Sequence, residues 1–330
     1  QQAYIIVDET KKLIKMNNLT LQELTHQSLS CMNLQSFKKM QQENFTFELA
    51  DMKDNIINSD EAVQQSFAMD EPSFKILWKL IVNGKYKTIK NAVVVMITIS
   101  EYIDNTKWPN IPNLKKKNAR NYQQIFREEL NYQFMSNKHP KMQKRSVQSF
   151  LAKFAAKYKL HDSSHEYDGL IIIICGHGEN GNMLVASDGK SLSIDEIYES
   201  LGCDILESFK GLPKIFIIDL HRGENTSAIN TTTMRGKTEE KKDMKLHGDN
   251  YNEFLFIWLT TQRYEIADFS LLSKCMKSVI ISKYKSGYPF KQMLDDVRQE
   301  IRKSKNGEWY CMETQDTASY DMVFASRKKS

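Results

Sequence analysis

The chain has 330 residues, with 46 Lys and Arg against 41 Asp and Glu, for a net charge of +5. Its 41% apolar and 26% charged residues are the balance of an ordinary globular protein and exclude a collagenous or strongly charged disordered chain. No stretch approaches the roughly 20 apolar residues that span a bilayer, and interleaved charges of both signs point to a solvated mixed surface, not a nucleic-acid or membrane face.

The length is a prior for about two domains. The opening Gln1 and Gln2, in place of Met, leave a preceding segment open. The five cysteines, Cys31, Cys175, Cys203, Cys275 and Cys311, are odd in number and widely spaced. They argue against a disulfide framework and a structural zinc site, and for a reducing, cytoplasmic compartment.

In chain order, residues 4–7 read as a strand and 8–12 as a turn. Residues 13–16 complete a hairpin. Thr20 caps a helix, with Glu23 three positions on as a capping box. Residues 45–49 alternate as a strand, Asp60 opens a short helix reaching Phe67, and 74–78 form a last strand. This order, β-β-α-β-α-β, resembles a ubiquitin-like β-grasp module, carried by "IIVDETKKLIK", "FTFELADMKDNIINSDEAV" and "FKILW". The resemblance implies that residues 1–84 are a small α+β interaction domain with a protein partner.

After a polar break at 82–85 the rhythm changes. Residues 92–97 form a continuous apolar strand, of the kind buried on both faces of a parallel sheet. A lysine-rich loop through Lys115, Lys116 and Lys117 is expected next, then a helix carrying Tyr122, Ile125, Phe126 and Leu130. A short strand at 133–135 and a helix from Ser146 follow. Buried strands are expected at 168–174, 214–219 and 254–259, with helices at 194–201, 270–284 and 289–303 and an edge strand at 319–324. Residues 224–252 are polar and aperiodic and read as a long loop or cleavable linker. Strands alternating with helices imply a mostly parallel sheet in a three-layer α/β/α sandwich, with its chemistry beyond the carboxyl ends of the strands.

Two of those strands lead into conspicuous residues, Cys175-Gly176-His177-Gly178 and Asp219-Leu220-His221-Arg222-Gly223. "DGLIIIICGHGENGNMLVASDG", residues 168–189, resembles the histidine block of caspases and metacaspases. "GLPKIFIIDLHRGEN", residues 211–225, resembles their nucleophile block, and "NEFLFIWLTT", residues 252–261, the start of their small subunit. The resemblance covers about residues 88–326. It implies a caspase-like domain over 85–330, with a large-subunit-like part at 88–223, a linker at 224–252 and a small-subunit-like part at 253–326.

In that family a Cys-His dyad cleaves peptide bonds, with backbone N–H groups receiving the oxyanion. By position, His177 is the family's histidine, Gly178 an oxyanion-loop glycine and His221 stands in the cysteine's place. Arg222 and Gly223 match the Arg-Gly of the nucleophile block. Asp219 stands where metacaspases hold the aspartate that pairs with a basic residue of the substrate, which assigns Asp219 and Arg222 to the substrate pocket. The family's Gly-x-x-x-Asp block is absent from residues 114–120. Imidazole lacks the nucleophilicity of a thiolate, so the resemblance implies an inactive, regulatory pseudo-caspase. The alternative is a cysteine-type endopeptidase cleaving after basic residues.

Cys175, two residues before His177, is either a relocated nucleophile or an inert buried thiol, and the second fits a strand end better. His177, His221, Cys175 and Asp219 have the chemistry of a zinc site, but nothing else in the sequence requires one, so no metal or cofactor is assigned. The expected partner is a peptide or protein, with no nucleic acid and no membrane. A homodimer remains open.

Overall fold

A computed structural model describes residues 1–330 apart from 44, 82–83, 162–165, 180–182, 202–207, 223–252, 262–267, 306 and 329–330. It divides into two compact units, Gln1–Asn83 with Lys283–Tyr288, and Gly84–Ser282 with Pro289–Ser330. The linker expected at 224–252 lies outside the described residues.

In the first unit, β1 (Gln2–Val7) and β2 (Thr10–Lys15) form a hairpin whose two-residue turn, Asp8 and Glu9, has positive φ at both positions (44° and 70°), matching the twist of the strands. The second strand therefore begins earlier than its pattern suggests. Helix α1 (Leu21–Ser30) is capped by Thr20, whose Oγ1 accepts from Glu23 N–H at 3.2 Å, but the expected capping box is not completed, because the Glu23 carboxylate accepts from Gln27 Nε2 at 3.1 Å instead of reaching back to the cap. The sequence reading missed α2 (Leu34–Gln42), capped by Asn33. Only three of its nine residues, Leu34, Phe37 and Met40, are apolar, and the first two lie in the open.

Then come β3 (Phe45–Asp51), α3 (Asp60–Ser66) capped by Ser59, and β4 (Ser73–Leu80). The sheet order is β2-β1-β4-β3, with β1 and β4 parallel in the middle. Ile5, Leu24, Val63 and Phe74 form a fully buried core between sheet and helices.

The second unit is built on β6 (Ala92–Thr98), β7 (Gln133–Ser136), β8 (Gly169–Glu179), β11 (Lys214–Arg222) and β12 (Phe254–Thr261), all parallel, with β13 (Tyr310–Asp316) antiparallel to β12. The short β9 (Met183–Val185) and β10 (Ser191–Ser193) extend it beside the end of β8. Val93, Val94, Ile172, Ile173, Ile215 and Ile217 are fully buried, as both faces of the sheet are covered.

Helices α5 (Lys144–Lys157) and α6 (Ile194–Glu199) pack on the face carrying Val95, Ile172 and Phe216. The opposite face is covered by α4 (Leu114–Gln123), continued by a π-helical turn at Gln124–Glu129, and α7 (Leu271–Lys283). Tyr122 Oη of α4 lies 3.9 Å from Met276 Sδ of α7. The helix α8 (Phe290–Lys303) lies against β13 and β14 (Asp321–Phe324). The protein thus has a mostly parallel α/β/α sandwich.

Two expectations change. Lys115, Lys116 and Lys117 lie on α4, not in a loop, because Leu114, Asn118 and Tyr122 give that helix a buried face at i, i+4 and i+8. Strand β14 does not edge the large sheet but pairs in parallel with β5 (Tyr86–Ile89), a strand too short and polar to stand out. The antiparallel β13 has no counterpart among the expected elements, since only Tyr310 and Met312 are buried and Glu313 and Gln315 stand among the exposed residues. Among the described residues no helix is long and apolar enough to cross a membrane.

The face under α6 is an aromatic stack. Phe216 lies 5.0 Å from Phe256 and 6.1 Å from Phe254, with Tyr198 edge-on to both Phe216 and Phe254. Phe216→Ala is expected to cost about 3–5 kcal/mol, read as a lower urea midpoint of the large unit. A change under about 1 kcal/mol would show that the stack is not part of the packed core.

Candidate functional site

The strands do not stop before the conspicuous residues; they run through them. In the parallel ladder of β8 and β11, Cys175 pairs with Asp219, His177 with His221 and Gly178 with Arg222. Side chains two apart on a strand share a face, so this register sets Cys175, His177, Asp219 and His221 on the face covered by α4 and α7. The structure therefore brings His177 and His221 together, and Asp219 with them. Gly178 belongs to the close approach of the strands: a Cβ there would lie 2.9 Å from Leu220 Cβ. Arg222 is placed by its backbone pairing, and Gly223 lies outside the described residues.

His177 is fully buried and held on every side. Its backbone N–H donates to Tyr102 Oη at 2.9 Å, and that hydroxyl donates to Ile99 O at 3.1 Å. The Tyr102 and Trp108 rings lie 4.8 and 5.6 Å from the imidazole centroid. Nε2 is 2.7 Å from Pro109 O and Nδ1 is 3.4 Å from His221 O. The shorter contact assigns the proton of the neutral ring to Nε2, leaving Nδ1 as the basic nitrogen, turned toward residue 221. Burial lowers the His177 pKa, opposed by its contacts to the two carbonyls. Tyr102, Trp108 and Pro109 were not foreseen: they come from the loop after β6, which has no periodicity to mark it.

His221 is also fully buried, with the ring of Phe269 edge-on at 4.5 Å. Burial, reinforced by the neighbouring His177, pushes its pKa down to about 3. Asp219 moves the other way: burial, reinforced by Asp268, pushes its carboxyl up to about 8. His221 Nε2 lies 3.3 Å from Asp219 Oδ1. That is within ion-pair range, yet the alignment makes no hydrogen bond, and neither ring nitrogen nor either carboxyl oxygen has a partner among the described residues. Both groups are predominantly neutral near pH 7, so the contact is not an ion pair.

Cys175 is fully buried, and burial together with Asp219 raises its thiol pKa well above the ordinary 9.0, only partly opposed by the neighbouring Asn118 and Thr98 side chains. It is a structural thiol, not a thiolate. Asn118 of α4 also donates to Phe269 O at 3.1 Å and accepts from Ser273 Oγ at 2.8 Å, fastening α4 to α7 beneath the histidines. Among the described residues no cluster of three or more His, Cys, Asp or Glu side chains is arranged to hold a metal ion.

The family model described as a caspase domain matches residues 93–320, which includes both histidines, Asp219 and the strands that carry them. No curated protein matches the chain.

The two shifted groups affect stability with opposite signs. Asp219, ordinarily 3.8 and about 8 when folded, keeps a proton that the unfolded chain has released. Its contribution is full below 3.8 and is lost as pH rises toward about 8. His221, ordinarily 6.5 and about 3 when folded, contributes above 6.5 and loses that contribution as pH falls. The slopes oppose each other between 3.8 and 6.5, and above 6.5 that of Asp219 acts alone. Stability should fall by about 2 kcal/mol between about pH 6.5 and 8, and Asp219→Asn should abolish that fall. Denaturation at both pH values checks it; an unchanged slope in the variant would contradict the assignment.

Proposed function

Since this chain belongs to the caspase-domain peptidase family, we propose that it is a member without the covalent nucleophile, serving as a regulatory or interaction protein. One observation carries the reading: the basic Nδ1 of His177 faces the backbone oxygen of His221 at 3.4 Å, where an acyl-transfer site needs a thiol or hydroxyl to deprotonate. The His221 side chain cannot take that part. It is buried against Phe269, its burial keeps it neutral, and an acyl-imidazole would be labile where a thioester is needed.

A working endopeptidase cleaving after basic residues would require an ionised, accessible Asp219. Its carboxyl is fully buried and pushed up to about 8, which weighs against that alternative. What persists is the setting of His177, fixed by Tyr102, Trp108 and Pro109. Cys31, Cys175, Cys275 and Cys311 are all free thiols, which supports a reducing location such as the cytoplasm.

The protein as written should show no turnover of fluorogenic peptides with Arg, Lys or Asp at the cleavage position. His221→Cys should gain turnover that His177→Ala then removes. Turnover by the unmodified protein that disappears on His177→Ala would overturn the reading.

Residues 1–84 are proposed as the partner-binding domain. Their sheet ends on β2, whose exposed Leu13 lies between Lys11 and Lys15 on an edge that no further strand pairs among the described residues. Extended segments of partner proteins add to such edges. Expressed alone, residues 1–84 should melt cooperatively. A fragment that orders only when residues 85–330 are added would defeat the proposal.

A further inference from the structure

Charge is distributed very unevenly along this chain. Residues 105–145 hold ten Lys and Arg against two acidic residues, a net +8, whereas the whole chain is +5 and the remainder therefore −3. The fold gathers much of this excess at the carboxyl end of the parallel strands, beside the histidines. The segment following β6 passes over His177 at Pro109 and enters α4 with Lys115, Lys116 and Lys117 in its first turn. The segment following β7 brings Lys138 against it, Lys115 Nζ donating to Lys138 O at 2.9 Å. Lys141 follows before α5 opens on Lys144 and Arg145.

Helix α4 breaks a local electrostatic rule at this crest. The positive end of a helix dipole favours Asp and Glu, as in α1, α3 and α6. The first turns of α4 and α5 have no acidic residue of their own and are crowded with cations; at α5 the Asp188 carboxylate compensates, accepting from Lys144 N–H at 3.2 Å, whereas α4 has no such partner among the described residues. Charge placed against the dipole lowers helix stability, and such departures are expected where a surface serves binding. Among the described residues, Lys144 pairs with Glu196 at 2.8 Å, but no ion pair neutralises Lys115, Lys116, Lys117, Lys138 or Lys141. The acidic neighbours in the loop are Glu101 and Asp104, and the Asp104 carboxylate is engaged by the N–H groups of Thr106 and Lys107.

We infer that this basic crest, beside the His177–His221 site, docks an acidic peptide segment of a partner protein. The inference rests on the reading of the domain as a peptide-docking fold and gives that partner its charge. It is opposite in sign to the basic residue implied by Asp219, which is buried and mostly protonated at neutral pH. A single-stranded nucleic acid is a poorer fit. Stacking requires exposed aromatic faces, and in this stretch Trp108, Tyr122, Phe126 and Tyr132 are buried and Phe134 is half-buried on β7, so none offers an open face. The exposed Ile103, 59% accessible, instead offers a peptide an apolar contact at the rim.

Fluorescence anisotropy of the full chain with a fluorescein-labelled Glu/Asp-rich peptide tests this, beside a Lys/Arg-rich peptide, single-stranded RNA and anionic phosphatidylserine vesicles. The acidic peptide should bind, and lose affinity steeply between about 0.1 M and 1 M salt. Lys116→Glu with Lys117→Glu, both exposed, should weaken it about tenfold or more. Lys38→Glu with Lys53→Glu, the same charge change at two exposed lysines of the first unit away from its β2 edge, should leave it unchanged. No binding of the acidic peptide, equal weakening by the control pair, or equal or tighter binding of RNA or vesicles would overturn the inference. None of these outcomes depends on turnover, so the absence of catalysis stands or falls separately.

Discussion

The candidate site depends on the register of β8 against β11. Nine residue pairs run from Lys214 opposite Leu170 to Arg222 opposite Gly178, and this continuous parallel ladder sets His177 against His221. Sliding the register by one residue would turn the histidines to opposite faces. The Ile and Phe side chains that fill both faces of these strands oppose such a slip, and at Gly178 the missing side chain leaves room for Leu220, whose Cβ would lie 2.9 Å from an added Cβ.

Because the same ladder runs into a fully buried region, it also decides the chemistry. Ionisable groups there keep whichever form is uncharged: Asp219 its proton, His221 its free base, Cys175 its thiol. A caspase-type site requires an ion-forming partner for its histidine. Here the position opposite His177 offers a neutral ring turned against Phe269 and a backbone carbonyl. The charge of the region lies instead on its rim, on the lysines of α4 and the loop after β7.

The large sheet was legible in the sequence because its strands are runs of β-branched residues long enough to have one interpretation, as at 92–97 and 168–174. The paired blocks around His177 and His221 were legible through their resemblance to caspases. Elements lacking a strong apolar period were not. The helix α2 has only three apolar residues in nine, β5 has four largely polar residues, and β13 carries alternating Glu and Gln. The start of α4 read as a loop because three consecutive lysines concealed a stripe made of Leu114, Asn118 and Tyr122. Within the site, Tyr102, Trp108, Pro109 and Phe269 act through tertiary proximity, which no local pattern encodes. Burial of Asp219 was equally invisible, since the same residue would serve an open basic pocket or a closed neutral one.

The central claim is that the side chain at position 221 is a dry, neutral imidazole and that His177 presents Nδ1 as its free base. Nitrogen-15 NMR of the imidazoles, with His221 assigned by its loss in His221→Gln, measures both. His221 should remain neutral as pH is lowered past 6.5, with protonation deferred toward about 3, and His177 should show its neutral ring protonated on Nε2. Protonation of His221 near 6.5, or a His177 proton on Nδ1 at neutral pH, would contradict the account.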